Sequence, residues 1–250
     1  MVLVKLYIAF IAVFLLFISI RTEAQTCGFG CLGLGGFYAG YGIQNYKADG
    51  LNNLIQKAAS SPAEQMPEFG KANGFRVGAN IFRTRYNNFI FSTKGYYQFL
   101  KEENQVFQPV EGDGSVNTKY TLNLNFYGLG VDFGYSLGKL LALKFLDAQI
   151  TFHSASLTSA VSSASSPLRE NDYSNDKLAV GYSFGSGLIF RLVGDYISLE
   201  ATAGYTKFSF DSFVNDAENS RSDEITSIKK IINDGGLFGL IQLNVGIPLY

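Results

Sequence analysis

Charge is scarce in this sequence. Only 16% of its 250 residues are Asp, Glu, Lys or Arg, against about 25% in an ordinary soluble domain. Tryptophan is absent, histidine occurs once, cysteine twice and proline 5 times. So little histidine and cysteine leaves scant material for a metal centre or thiol chemistry. Lys and Arg total 20 against 21 Asp and Glu, so no basic field exists to hold nucleic acid. No long apolar run follows the N-terminal segment, and a mean hydropathy of +0.10 excludes a bundle of transmembrane helices. What is plentiful is Gly (27), Phe (22) and Tyr (15). That balance suits a β-protein in a non-aqueous setting, not a disordered chain or a coiled coil.

The N-terminus reads as an address. Lys5 precedes the apolar run Leu6 to Ile20, and Arg21-Thr22-Glu23-Ala24 closes it with small residues at Thr22 and Ala24. This is the order of a secretory signal, with cleavage expected between Ala24 and Gln25. The run falls short of the ~17–25 residues that a spanning helix needs. Residues 1–24 are therefore read as the signal peptide, 25–34 as a short periplasmic segment and 35–250 as the folded body. The mature chain has 226 residues and a net charge of −2. Cys27 and Cys31 sit in that short segment, in Cys-Gly-Phe-Gly-Cys. An exported chain meets an oxidising compartment, so a disulfide or two free thiols are both open. A metal site lacks a nearby His or further Cys. Gly33-Leu34-Gly35-Gly36 looks like a nucleotide loop only superficially, since a strand pattern and no helix follows it.

From residue 35 onward, apolar and other residues alternate. Leu178, Val180, Tyr182, Phe184, Leu188 and Phe190 share one face, and Ala179, Gly181, Ser183, Gly185 and Gly187 the other. Leu237 to Leu249 repeats the pattern. Further segments alternate over 37–44, 75–82, 91–99, 120–133, 146–153 and 197–206, making eight strands. After Phe126 the apolar phase slips from Tyr120, Leu122, Leu124 and Phe126 to Leu129, Val131 and Phe133, which predicts a β-bulge there. Connections near 83–88, 136–139 and 192–195 are short, whereas 47–73, 101–117, 158–177 and 211–235 are long and polar. Short turns at one end and long loops at the other predict an all-β, eight-stranded antiparallel up-and-down barrel. A soluble barrel would carry charges on its outer face. Here the face opposite the large apolar residues carries Gly, Ser, Thr, Asn and Gln, which suits a tight lumen with the apolar face in lipid.

On those phases Arg76, Lys94, Asp132, Asp147 and Glu200 point into the lumen, where they must pair as an ionic plug or line a gated path. Tyr38, Phe82, Tyr96, Phe238 and Leu240 add bulk beside them. His153, the lone imidazole, takes a lumenal phase with Ser154 and Ser156 on the opposite or outward side, a poor arrangement for catalysis. No catalytic, metal or cofactor site is assigned. Leu51, Leu54, Ile55 and Ala58 repeat at helical spacing in the first long connection, as do Ile225, Ile228, Ile231 and Ile232 in the last. Such stripes cap the barrel mouth or meet a partner.

The leader, the eight alternating segments, the short turns and the terminal aromatic Tyr250 resemble the small outer-membrane β-barrels of Gram-negative bacteria. Among these, the sequence is most similar to the Bacteroidota group that includes PorT-like proteins, alongside the OmpA and OmpX transmembrane domains, with Ala24-Gln25 typical of that phylum's exported chains. The resemblance implies residence in the outer membrane, lipid and the barrel-assembly machinery as partners, and a protein partner at the extracellular loops. It implies a non-enzymatic role in envelope integrity, adhesion or a secretion assembly. A solute-passing barrel is the alternative, and an outer-membrane enzyme comes third.

Overall fold

A computed structural model describes residues 35–58, 67–110, 114–163, 168–175, 177–194, 196–215 and 230–246. Ala24, Gln25, Cys27, Cys31, Ile225, Ile228 and Tyr250 lie outside them. The chain forms β1 (Gly36–Asn45), helix α1 (Asp49–Ala58), β2 (Lys71–Tyr86), β3 (Phe89–Val110), β4 (Gly114–Ser136) and β5 (Leu141–Ser163). Then follow β6 (Arg169–Asn175), β7 (Ala179–Val193), β8 (Ile197–Lys207), β9 (Phe213–Asn215) and β10 (Gly236–Val245). Eight of these strands pair antiparallel in the order β4-β3-β2-β1-β10-β8-β7-β5, and β4 pairs with β5 to close the ring. The fold is the closed eight-stranded barrel expected. Short β6 and β9 extend the sheet beyond β5 at the long-loop end.

Each short turn has local reasons. Asn87 takes φ +53°, a left-handed conformation that Asn tolerates better than most residues, and lets β2 fold straight back into β3. Inside the wall, Tyr38 faces Gly78 and Tyr96 faces Gly128 across neighbouring strands. A Cβ at either glycine would lie within 2.5 Å of the tyrosine ring, so these two glycines create the room that the lumenal rings occupy.

Several expected boundaries move. The stretch 101–117 is not a loop: β3 and β4 run on in register to the pair Val110–Gly114. Likewise 158–177 holds the end of β5 and all of β6. No bulge follows Phe126, because β4 pairs with β5 without interruption from Val116 to Phe133. Irregularities fall instead at Phe133/Gly134, Asn80/Phe82, Lys144/Asp147 and Arg191/Val193, toward the short-turn end. The second of these turns Phe82 outward, 40% exposed and packed on Phe91, so it does not fill the lumen. In the last connection, Ile231 and Ile232 are buried but not helical.

The apparent phase slip has a different cause: the two faces exchange polarity part-way up the wall. Along β3 the outward residues Phe89, Phe91, Tyr97 and Phe99 give way to Lys101 and Glu103, while the inward Ser92, Lys94 and Gln98 give way to Leu100. Along β4 Tyr127, Leu129 and Phe133 point out, but Phe126, Leu124 and Leu122 are buried inside. From Phe89 to Phe99, at ~3.3 Å per residue and ~40° of tilt, the outward apolar band is about 25 Å tall, the height of a lipid-facing belt. Above it the barrel is built like a soluble β-protein, apolar within and polar without.

Candidate functional site: the filled lumen and its apolar cap

Within the belt the interior is polar and closed. Lys94 Nζ lies 2.9 Å from Asp132 and 2.6 Å from Asp147. Lys144 Nζ lies 3.1 Å from Asp147 and 3.6 Å from Asp132, and it also pairs with Glu200. Ser92 Oγ donates to Asp132 (3.1 Å), Thr202 Oγ1 to Glu200 (3.1 Å), and the Gln149 amide to Asp147. Of the five charges expected in the lumen, Lys94, Asp132, Asp147 and Glu200 share this network. Arg76 does not: its guanidinium donates to Gln98 Oε1 (2.9 Å) and lies 3.9 Å above the Tyr96 ring.

Lys144, the centre of the network, is the residue that sequence reasoning missed. Leu140 to Phe145 gave no clear phase, and the irregularity between Lys144 and Asp147 puts both on the inner wall although they are three apart. The usable signal was the adjacent apolar pair Phe145-Leu146, where alternation breaks.

Above the ions stands His153, fully buried. Its Nε2 is 2.6 Å from Thr151 Oγ1, its ring stacks on Phe208 at 4.5 Å, and Phe126 meets it edge-on at 4.2 Å. Ser154 and Ser156 are on the outer wall, and the hydroxyl that meets the imidazole is that of Thr151, itself buried at 1% exposure. Phe208 belongs to an apolar cluster that closes the barrel top, with Leu100, Leu122, Leu124 and Leu157 from the wall and Phe210 and Phe213 above. Helix α1 presses Leu51 and Ile55 into the same cluster. Its Asn52 is bonded twice to the Phe69 backbone (2.9 and 2.8 Å), and Leu51 N donates to the Ile231 carbonyl (3.1 Å). The apolar stripe of α1 thus lies against the mouth.

No family model matches the chain, and no curated protein does. Among solved structures, the chain is similar to Ail, the attachment invasion locus protein of Yersinia pestis, at 13% identity and a TM-score of 0.37, covering 85% of this chain and 97% of that one. The same protein in complex with the heparin analogue sucrose octasulfate gives 12%, 0.36, 86% and 97%. The barrel itself is established by the strand register above.

Outward-facing Leu178, Val180, Tyr182, Phe184, Ile241, Leu243 and Val245 are each between 44% and 68% exposed. Rings pair along this surface, as Tyr41–Phe75 (5.2 Å) and Phe91–Phe133 (4.9 Å) do. In water such a continuous band would be a severe liability; against acyl chains it is the stable arrangement.

Proposed function

We propose that the chain is an exported, integral outer-membrane barrel of Gram-negative type that conducts no solute and acts through the surface built on its long connections. The observation that carries this reading is the stack of seals in its interior: an ionic layer inside the belt and an apolar cap above it. An eight-stranded barrel has room only for side chains, and here both layers fill it. His153, walled in by Phe126 and Phe208, supports a packing role over an enzymatic one. Residues 1–24 as leader and the Bacteroidota-type, PorT-like resemblance belong to the same proposal, with envelope integrity, adhesion or a secretion assembly as the roles it covers. The barrel-assembly machinery and membrane lipid are its partners during insertion.

The test is a planar-bilayer recording beside a loop exchange. The purified wild-type barrel should give no large stable conductance. Replacing residues 216–229 by a short Gly/Ser linker should leave the gel mobility difference between unheated and boiled protein intact while abolishing the cell-envelope phenotype of the wild type. A large stable conductance, unchanged by that exchange, would overturn the reading in favour of a solute-passing barrel.

A further inference from the structure

The outer wall above the belt is flat, polar and ordered in rows. On β4, Asn123 lies between Lys101 of β3 and Ser156 of β5, and one row higher Thr121 lies between Glu103 and Thr158. β6 carries the second row on to Asp172. Four strands ~4.8 Å apart and three rows ~6.8 Å apart give a face of about 14 Å by 14 Å. Its charges are matched within it: Glu103 holds Lys119 at 3.0 Å and pairs with Lys101 as well. Asp172 accepts the Thr158 hydroxyl proton (2.7 Å), and the Asn123 amide donates to Ser156 Oγ (3.5 Å). The wall therefore offers hydrogen bonds in place of a cationic seat. Short amides and hydroxyls both give and accept, as do the adjacent hydroxyls of a sugar.

Above these rows stands Phe107, 61% exposed. Among the described residues it is the one large apolar side chain on the outward faces of β3, β4 and β5 above the belt. It lies ~20 Å above Phe99 along the barrel axis, at ~3.3 Å per residue and ~40° of tilt. Neither acyl chains nor the cap reach it there, and the C–H face of a sugar ring is a partner that an aromatic ring in water can cover.

The occupant follows from where the wall begins. On β4 Asn125 and Asn123 come directly after Tyr127, and on β5 Ser154 comes directly after Phe152, so the polar wall continues the belt without a break. What lies against it is carried by the leaflet that meets Tyr127. A phospholipid headgroup zone is only ~5–8 Å deep, too shallow to reach Phe107. A lipid whose headgroup is a chain of sugars spans the distance.

We propose that this wall binds the sugar residues of a glycolipid in the surrounding leaflet, through Asn123, Thr121 and Phe107. The membrane-borne source rests on the outer-membrane reading above.

The test compares two probes of the same acylation, rough lipopolysaccharide with its core sugars and lipid A without them. Lipid retained by the full mature barrel is measured by equilibrium gel filtration in a zwitterionic detergent that has no sugar groups. Lipid A alone reads the belt, and the difference between the probes reads the wall. The core-bearing lipid should bind about tenfold more tightly than lipid A, and N123A/T121V should remove most of that advantage. F107A should lower it as well, whereas N45A, on the opposite wall, should leave it unchanged. Unheated and boiled gel mobilities show that each variant is folded, and F107A alone serves if the double variant is not. Equal affinity for the two probes, or equal losses in N45A, overturns the proposal. So does an advantage that vanishes between about 0.05 and 0.3 M salt, which would mark it as a charge effect. Retention of neither probe by a barrel that inserts into vesicles refutes the wall site alone, and failure to insert refutes the membrane reading with it.

Discussion

Replacing Lys144 by methionine keeps most of the chain's length and removes its charge. In the native lumen its ammonium is 3.1 Å from Asp147, 3.6 Å from Asp132 and paired with Glu200. Without it, Lys94 alone faces three buried carboxylates. An ion pair at 3.1 Å is worth ~5 kcal/mol gross at an effective dielectric of ~20, and most of that is offset by the cost of desolvating the ammonium. The carboxylates' own desolvation is not recovered in the variant, which is why breaking a buried pair from one side costs about 3–5 kcal/mol. Urea unfolding of the barrel in lipid vesicles reads this loss directly, with gel mobility of unheated protein as a second measure. The double variant K144M/E200Q removes one stranded carboxylate and should recover part of the loss, giving a coupling energy above ~1 kcal/mol. Stability of K144M within about 0.5 kcal/mol of wild type, or strictly additive losses in the double variant, would refute the account of the lumen as a mutually dependent ionic layer.

Three further outcomes test the other layers. Leu243→Arg places a charge on the outward belt and should cost ~2–4 kcal/mol in vesicle unfolding, whereas assembly as good as wild type would invert the inside–outside assignment. Leu122→Ala should cost ~2–5 kcal/mol because Leu122 is fully buried in the cap, while Asn123→Ala on the outer wall should change stability by less than ~0.5 kcal/mol; the reverse order would move β4's apolar residues back to lipid. Tyr46, in the cap, donates its hydroxyl to Glu102 at 2.5 Å, and burial together with the Glu102 charge holds its phenol far above the ordinary tyrosine range. The unfolded chain ionises near pH 10 while the folded one does not, so Tyr46's contribution is intact below about pH 10 and declines as pH rises beyond it. Urea midpoints between pH 8 and 11 should therefore fall more steeply for wild type than for Tyr46→Phe.

Barrel topology was legible because membrane strands make alternation unusually clean. The face of β7 from Val180 to Phe190 has no reason to carry polar groups, and its opposite face is held to small residues by Lys207, Ala203 and Ala201 carbonyl oxygens close by. Bulges were not legible in position. At Asn80/Phe82 and Lys144/Asp147 one extra residue hides among apolar neighbours, so the phase beyond it shifts without any polar mark. Alternation alone therefore puts Phe82 inside and leaves Lys144 without a face. All five lumenal charges keep the inward phase of the alternating run they belong to; Lys94, Asp132, Asp147 and Glu200 join one network, whereas Arg76 meets an amide and a ring in place of a carboxylate.

The long connections were misread for a physical reason that also bears on function. Alternation gives the phase of a strand but not which phase is wet, and that depends on the solvent outside. Lys101, Glu103 and Gln105 look like loop residues to a reader expecting lipid, yet they are the outer wall of a barrel that has left the membrane. Once the wall stands in water its interior must become apolar to hold together, and Leu100, Leu122 and Leu157 then meet Phe208 and α1. The cap is thus the ordinary consequence of strands longer than the bilayer is thick. A barrel that needed an open lumen could not tolerate such a core across its mouth. One that works through its outer surface gains a rigid platform for the connections from it.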